Sequence, residues 1–172
     1  GCAAQGWSDL LDSTTRDDLP GKVLVAAGLA KERDNGGFYD AFRNRLMFPI
    51  MDDSGHPIAF GGRVLSDDDE PKYLNSCEHD LFQKSRTLYG MHLARRDITR
   101  TGVAIVAEGY TDVIACHQAG FANVVATLGT ALTNDHARTL SRLCDVVVLL
   151  FDGDEAGMRA ADRAIVTMAS HP

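Results

Sequence analysis

Val103-Ala-Ile-Val-Ala-Glu-Gly-Tyr-Thr-Asp112 and Val146-Val-Val-Leu-Leu-Phe-Asp-Gly-Asp154 are built alike: an apolar run rich in β-branched residues, then an acid and a glycine. Short continuous apolar runs of this kind read as strands buried on both faces. The first is followed by a helical stretch, Tyr110 to Gln118, and the second by another, Glu155 to Met168. Between them lie a third apolar run, Ala122 to Thr127, and a third helical stretch, Asn134 to Leu143. Strand and helix thus alternate three times. Parallel strands need a crossover long enough to hold a helix, and helices on both faces explain strands that are apolar throughout. The second half is therefore expected to be α/β, doubly wound, with a parallel sheet flanked by helices.

Upstream of residue 100 the periods are mixed. Asp17 to Leu29 carries Leu19, Val23, Leu24 and Ala27 at helical spacing and is closed by Gly28 and by Asn35-Gly36-Gly37. Phe42 to Ile50 and Ile58 to Leu65 flank the turn Asp52-Asp53-Ser54-Gly55 and read as a hairpin. Asp67 to Glu70 reads as a solvated loop, and Glu78 to Arg96 as mostly helix, with Gly90 against it. Residues 1–100 are expected to form a mixed α+β N-terminal subdomain with a basic face, and residues 101–172 the α/β domain.

The chain has 172 residues, 45% hydrophobic and 24% charged, enough to bury a real core and too apolar for a disordered tail. The longest apolar runs fall far short of the roughly 20 residues a bilayer demands, so no membrane span or membrane partner is expected. Cys2, Cys77, Cys116 and Cys144 show no C-x-x-C spacing, which argues against a zinc knuckle or a disulfide framework and for a reducing compartment. The first residue is Gly1 rather than Met, so the N-terminus reads as a processed or excised end. Net charge is −7, yet residues 31–100 hold 11 Lys and Arg, against 8 acids once Asp67 to Glu70 is set aside. Residues 101–172 hold 4 Lys and Arg against 8 acids, so acids that gather there need a cationic partner.

In parallel sheets, ligands gather at the carboxyl ends of the strands. Glu108 and Asp112 follow one strand; Asp152 and Asp154 follow another. If those strands are neighbours, three or four carboxylates crowd one edge. Like charges so close disfavour ionisation, so either some stay protonated or a divalent cation neutralises them. Oxygen-only donors select Mg²⁺ or Mn²⁺ over zinc. Gly109 and Gly153 are expected to allow sharp turns and a close backbone approach. Asp154 also reads as an N-cap, and Asp112 as a partner of its helix dipole. No Walker A run, G-x-G-x-x-G or G-x-S-x-G occurs, and the six histidines form no pair at ligand spacing.

Glu108-Gly-Tyr-Thr-Asp-Val and Phe151-Asp-Gly-Asp-Glu-Ala-Gly resemble the first two acidic motifs of the Toprim domain of bacterial DnaG-type DNA primases. Tyr39-Asp-Ala-Phe-Arg-Asn-Arg-Leu-Met-Phe-Pro-Ile, Gly61-Gly-Arg-Val-Leu, Pro71-Lys-Tyr-Leu-Asn-Ser, Leu88-Tyr-Gly and Leu128-Gly-Thr-Ala-Leu follow in that family's order and spacing. The resemblance covers nearly the whole chain. It implies a DNA-directed RNA polymerase, a nucleotidyltransferase that makes short RNA primers on single-stranded DNA for replication. Glu108, Asp152 and Asp154 match the catalytic, metal-binding acids, with Asp112 as an accessory metal acid. Two Mg²⁺ or Mn²⁺ ions about 3.5–4 Å apart would stabilise the attacking 3′-hydroxyl and the leaving pyrophosphate.

Arg63, Lys72 and Lys84 match positions on the nucleic-acid and nucleotide side of the cleft. The family's His-Lys-Gly is Gln83-Lys84-Ser85 here, which weakens the match at Lys84. Tyr73 reads as a packed aromatic or a base-stacking one. Arg43 and Arg45, two apart on an expected strand, share a face that is either template-facing or an ordinary polar one. The resemblance further implies nucleoside triphosphates and an RNA primer as partners, a replicative helicase engaged through a C-terminal domain, zinc only in an upstream domain, and a cytoplasmic, replisomal location. It makes the chain a central slice of a primase, its Toprim domain truncated at the C-terminus and its activity low in isolation. The alternatives are a Toprim nuclease or topoisomerase-like enzyme, which needs a different first half, and an inactive nucleic-acid-binding remnant.

Overall fold

The computed structural model of the chain describes residues 1–15, 19–66 and 70–171. It divides into two compact units, Gly1–Ile50 with Pro57–Phe82, and Met51–His56 with Gln83–Pro172.

In the first unit, β1 (Cys2–Ala3), β4 (Arg45–Met51), β5 (Pro57–Val64) and β6 (Tyr73–Asn75) form a sheet in the order β1-β4-β5-β6. β4 and β5 are neighbours, as the hairpin reading expects. β5 and β6 run antiparallel, with Arg63 opposite Tyr73. A second hairpin, β2 (Ala30–Glu32) with β3 (Phe38–Asp40), turns through Asn35-Gly36-Gly37, the last two with φ of 87° and 86°. Those residues were expected only to close a helix. They close a hairpin because consecutive glycines adopt positive φ without the steric penalty other residues meet. The helix itself is short: α2 spans Gly21–Ala26 behind Pro20, and Asp17, where the expected helix begins, lies outside the described residues. An unexpected helix, α1 (Asp9–Thr15), is capped from a distance: buried Asp40 accepts the amides of Leu10 (2.7 Å) and Leu11 (3.1 Å). Two charge-assisted bonds to helix N-terminal amides account for a carboxylate in a core that holds Phe42, Phe48, Ile50 and Phe82. Of the expected loop Asp67 to Glu70, only exposed Glu70 is described.

The second unit contains α3 (Met91–Thr101), β7 (Val103–Ala107), α4 (Tyr110–Gln118), β8 (Val124–Ala126), α5 (Asn134–Ser141), β9 (Val146–Leu150) and α6 (Glu155–Ala169). The strands form a parallel sheet in the order β8-β7-β9, with Ala107 opposite both Ala126 and Leu150. Ala104, Val106 and Val125 pack under Ala94 and Ile98 of α3, Ala137 and Leu140 of α5 and Ala164 of α6. Ala107, Val124 and Ala126 pack with Val113 of α4. Helices thus cover both faces over β7 and β8, and the edge strand β9 keeps Val146, Val148 and Leu150 exposed.

The helix expected over Glu78 to Arg96 begins only at Met91. Gly90 has φ 81°, a left-handed conformation that interrupts a helix, and two apolar residues of the stretch, Leu81 and Leu93, are exposed. Residues 83–87 form a turn instead, and Tyr89 pairs with Ala126 at the edge of β8. All four cysteines are free, and no described helix is long and apolar enough to cross a membrane.

Candidate functional site

Because β7 and β9 are paired in parallel register, the two acidic segments leave the sheet side by side. Glu108 reaches across and accepts the backbone N–H of Asp152 at Oε1, at 2.8 Å. That bond ties the two strand ends together. Asp154 is the N-cap of α6 and accepts the amide of Gly157 at Oδ1, at 2.8 Å. Asp112 closes a capping box on α4 by accepting the amide of Gly109 at Oδ2, at 3.0 Å. The capping roles of Asp154 and Asp112 are therefore real, and each bond uses one oxygen of its carboxylate.

The glycines behave differently from expectation. Gly109 is extended (φ −145°) and a Cβ there would meet nothing closer than Asp112 Oδ2 at 3.5 Å; at Gly153 a Cβ would meet nothing within 4 Å. Neither needs to be glycine for its conformation or its surroundings. The crowded position is Gly157, buried in the first turn of α6, where a Cβ would collide with the carbonyl oxygen of Asp152. Gly157 is what lets the Asp152–Asp154 turn fold tightly onto α6.

Among the described residues, no three His, Cys, Asp or Glu side chains are gathered as a ready-made metal cage. The donor set nevertheless suits a hard cation. Glu108, Asp152 and Asp154 offer carboxylate oxygens alone, and Asp152 and Asp154 are exposed. Mg²⁺ dehydrates reluctantly and takes one or two carboxylates together with water and substrate phosphates, which asks for an open acidic edge rather than a cage.

Four of the five cations singled out in the sequence, Arg43, Arg45, Arg63 and Lys72, stand in the first unit. Arg43 donates to the Asp40 carbonyl (2.7 Å) and lies 3.9 Å from the centre of the exposed Trp7 ring. Trp7 and Tyr39 are 5.7 Å apart, and Arg33 stands 5.4 Å from Tyr39 and 5.7 Å from Trp7. Arg43 and Arg45 do not alternate along one strand: Arg43 precedes β4, and Asn44 between them has φ 50°, which breaks the two-residue period. Arg45 is buried and its Nη1 donates to the carbonyls of Pro71 (2.8 Å) and Gly62 (3.4 Å). Both arginines still line one polar groove of about 570 Å³ with Trp7 and Tyr39. Arg63 stands 5.7 Å from the half-exposed ring of Tyr73, and exposed Lys72 directly precedes β6. Lys84 belongs to the second unit, on the turn of residues 83–87. Trp7, Tyr39 and Gly157 are absent from the sequence-derived candidates. Trp7 and Tyr39 stand beside an arginine only through folding, and the glycine's crowding comes from a backbone carbonyl.

The DNA primase catalytic core N-terminal domain family matches residues 1–95, and the Toprim domain family matches residues 102–172. A DNA primase of Pseudomonas putida is 49% identical over 99% of this chain and 26% of its own length. A DNA primase of Escherichia coli K12 is 45% identical over 97% of this chain and 29% of its own. The chain therefore spans somewhat over a quarter of these relatives. The crystal structure of a DNA primase domain from Pseudomonas aeruginosa has a TM-score of 0.91 at 49% identity, over 97% of this chain and 52% of that one. A DnaG primase catalytic domain bound to single-stranded DNA has a TM-score of 0.86 at 44% identity, over 97% and 52%.

Proposed function

The chain belongs to the DNA primase catalytic-core family, and on that premise we propose that it carries the acidic and basic surfaces of a DNA-directed RNA polymerase that makes RNA primers on single-stranded DNA. The single observation that supports this reading best is the bond from Asp152 N–H to Glu108 Oε1, which joins two acidic strand ends into one edge. Glu108, Asp152 and Asp154 would hold the divalent cation on that edge, with Asp112 as an accessory acid. When bound, the cation neutralises charge on the nucleoside triphosphate and polarises the oxygens that exchange in an in-line displacement of pyrophosphate by a 3′-hydroxyl. Family membership supports use of a divalent cation; Mg²⁺ or Mn²⁺, as one ion or two, is the form that the oxygen-only donors favour.

Arg63, Lys72 and Lys84 hold phosphates. A polymerase must accept many template sequences, and phosphate contacts carry no sequence information. Arg43 and the exposed Trp7 provide a stacking platform for unpaired bases, since every base has a π-face and an arginine beside the ring adds charge. Arg45 holds the groove wall through its two backbone carbonyls rather than meeting the template itself. The match of residues 1–95 to the primase core speaks against the nuclease or topoisomerase alternative, which shares only the Toprim half.

The test is RNA synthesis from labelled nucleoside triphosphates on single-stranded DNA with Mg²⁺, by a primase carrying these residues and by its Glu108→Gln variant. Product that disappears with the variant supports the reading. Equal product from both refutes the role of Glu108.

A further inference from the structure

The turn of residues 83–87 is tied to itself through one carbonyl. Gln83 O accepts the amides of Arg86 (3.0 Å) and Thr87 (3.0 Å) and the hydroxyl of Thr87 (2.9 Å). Those bonds shape the turn without saying where it stands. Its anchor is the first turn of α5. The Thr133 hydroxyl, the N-cap of that helix, accepts the His136 amide (3.2 Å) and donates its own proton to the Ser85 carbonyl (2.5 Å). The Asp135 carboxylate meets Arg86 Nε (3.3 Å) and Arg138 Nη1 (2.8 Å).

His136 lies beneath, 0% exposed. Its Nδ1 accepts the Thr133 backbone N–H (3.3 Å). A backbone N–H can only donate, so the proton of the neutral ring sits on Nε2. That Nε2 has no partner at hydrogen-bond distance, and the backbone of Lys84 and Thr87 on the turn acts on the ring. A buried donor is retained at a cost unless it contributes something there. Here the ring is tied through Thr133 to the same turn whose Ser85 carbonyl Thr133 already holds.

We propose that His136, together with Thr133, is the positioning residue of the Gln83–Thr87 turn and so sets where Lys84 presents its ammonium group. The consequence for Lys84 rests on the reading above, in which that group takes a phosphate. The charged group that acts on the ring is Asp135, on its own helix, whose carboxylate also meets Arg86 of the turn and Arg138. Protonation of His136 would put a second N–H against the Thr133 amide, so a cationic ring loses the cap that the neutral one accepts.

Two substitutions divide the ring's functions. Asn carries an acceptor near the place of Nδ1 and keeps the cap, with nothing to reach Lys84 and Thr87. Gln carries a donor near the place of Nε2. Amide hydrogen exchange on the whole chain is expected to be about tenfold faster at Arg86 and Thr87 in His136→Asn, near wild type in His136→Gln, and unchanged at residues 138–141 in both. A merely structural role would accelerate 138–141 as well. In the wild type, as pH falls from 7.5 to 5.5, exchange corrected for its intrinsic pH dependence should accelerate at the Thr133 amide, which loses its acceptor, and stay level at Arg86 and Thr87, since the cationic ring keeps its Nε2 donor; that result needs no variant to fold.

Oligodeoxythymidylate binding provides the second readout. It should weaken by the same factor in His136→Asn and Lys84→Ala, without adding in the double variant. If Lys84→Ala binds normally while His136→Asn still loosens Arg86 and Thr87, the phosphate reading of Lys84 fails and the positioning role stands. Unchanged exchange at Arg86 and Thr87 in His136→Asn, or acceleration spread evenly through α5, overturns the proposal.

Discussion

Replacing Asp154 by Asn and by Ala separates two duties that one carboxylate performs. As the N-cap of α6 it needs only an acceptor at Oδ1 for the Gly157 amide, 2.8 Å away. Asn caps as well as Asp, so Asp154→Asn keeps that bond and loses only the favourable charge at the helix N-terminus, about 0.3–1 kcal/mol. Relief of repulsion from nearby Asp152 and Glu155 offsets part of the loss, and the metal-free stability should stay within about 0.5 kcal/mol of wild type. Asp154→Ala loses the bond too, about 1 kcal/mol more, or about 4 °C in the melting of a unit of this size. Metal binding follows charge rather than capping. A unit charge within about 4 Å of a divalent cation is worth about 2 kcal/mol even at the dielectric of water, so both variants should bind Mn²⁺ about thirtyfold more weakly. Thermal unfolding without metal and calorimetric Mn²⁺ titration read the two duties independently. Equal melting of the Asn and Ala variants would refute the cap, and an Asn variant with wild-type Mn²⁺ affinity would refute the metal role.

Gly157→Ala forces a methyl group against the Asp152 carbonyl; overpacking of that kind costs about 1–3 kcal/mol, and unchanged melting would contradict the tight turn. Trp7 is the single tryptophan, so its emission should change when single-stranded DNA binds, and Trp7→Ala should weaken binding by about 1–3 kcal/mol; binding that leaves the emission untouched would remove Trp7 from the interface. Lys72→Ala should weaken that binding alike for all sequences and make its salt slope shallower by about 0.7, whereas a loss confined to one sequence would indicate base readout. Burial holds the His136 imidazole below its ordinary pKa, so the folded protein binds a proton less readily than the unfolded chain. Its stabilising contribution is present above about pH 6.5 and is lost as pH falls through the lower folded value; urea unfolding at pH 7.5 and 5.5 should show this decline, and His136→Gln should flatten it.

The alternating half of the fold is legible in its sequence because each apolar run is short, continuous and followed by polar residues at helical spacing. β7 and α4 occupy the stretches expected of them, and β8 is shorter at both ends. Parallel register then makes the meeting of Glu108 and Asp152 readable before any side chain is seen. The stretch before α3 misleads because Leu81, Leu88, Met91 and Leu93 stand among charged residues, while Gly90 in left-handed geometry allows only the last two into a helix. Arg43 and Arg45 mislead for a similar reason, since the period-two argument needs an extended residue between them and Asn44 is not extended. Trp7 carries no local signal: its partners Arg33, Tyr39 and Arg43 reach it only after the β2–β3 hairpin has formed. The cap of Asp154 is readable as an alternative, whereas the sequence offers Asp112 only as a dipole partner, and its bond to the Gly109 amide emerges with the fold. What the sequence could not convey is that capping leaves an oxygen on each of them for other work.

The central claim is that a divalent cation binds where β7 and β9 end. Mn²⁺ added to the isotopically labelled chain tests it most directly, because paramagnetic broadening marks each amide by its distance from the ion. The first resonances lost at low Mn²⁺ should be those of residues 108–112 and 152–157, and Glu108→Gln should spare them. Broadening that begins instead at Asp52 and Asp53, or beside Glu70, with residues 108–112 and 152–157 intact, would contradict the assignment.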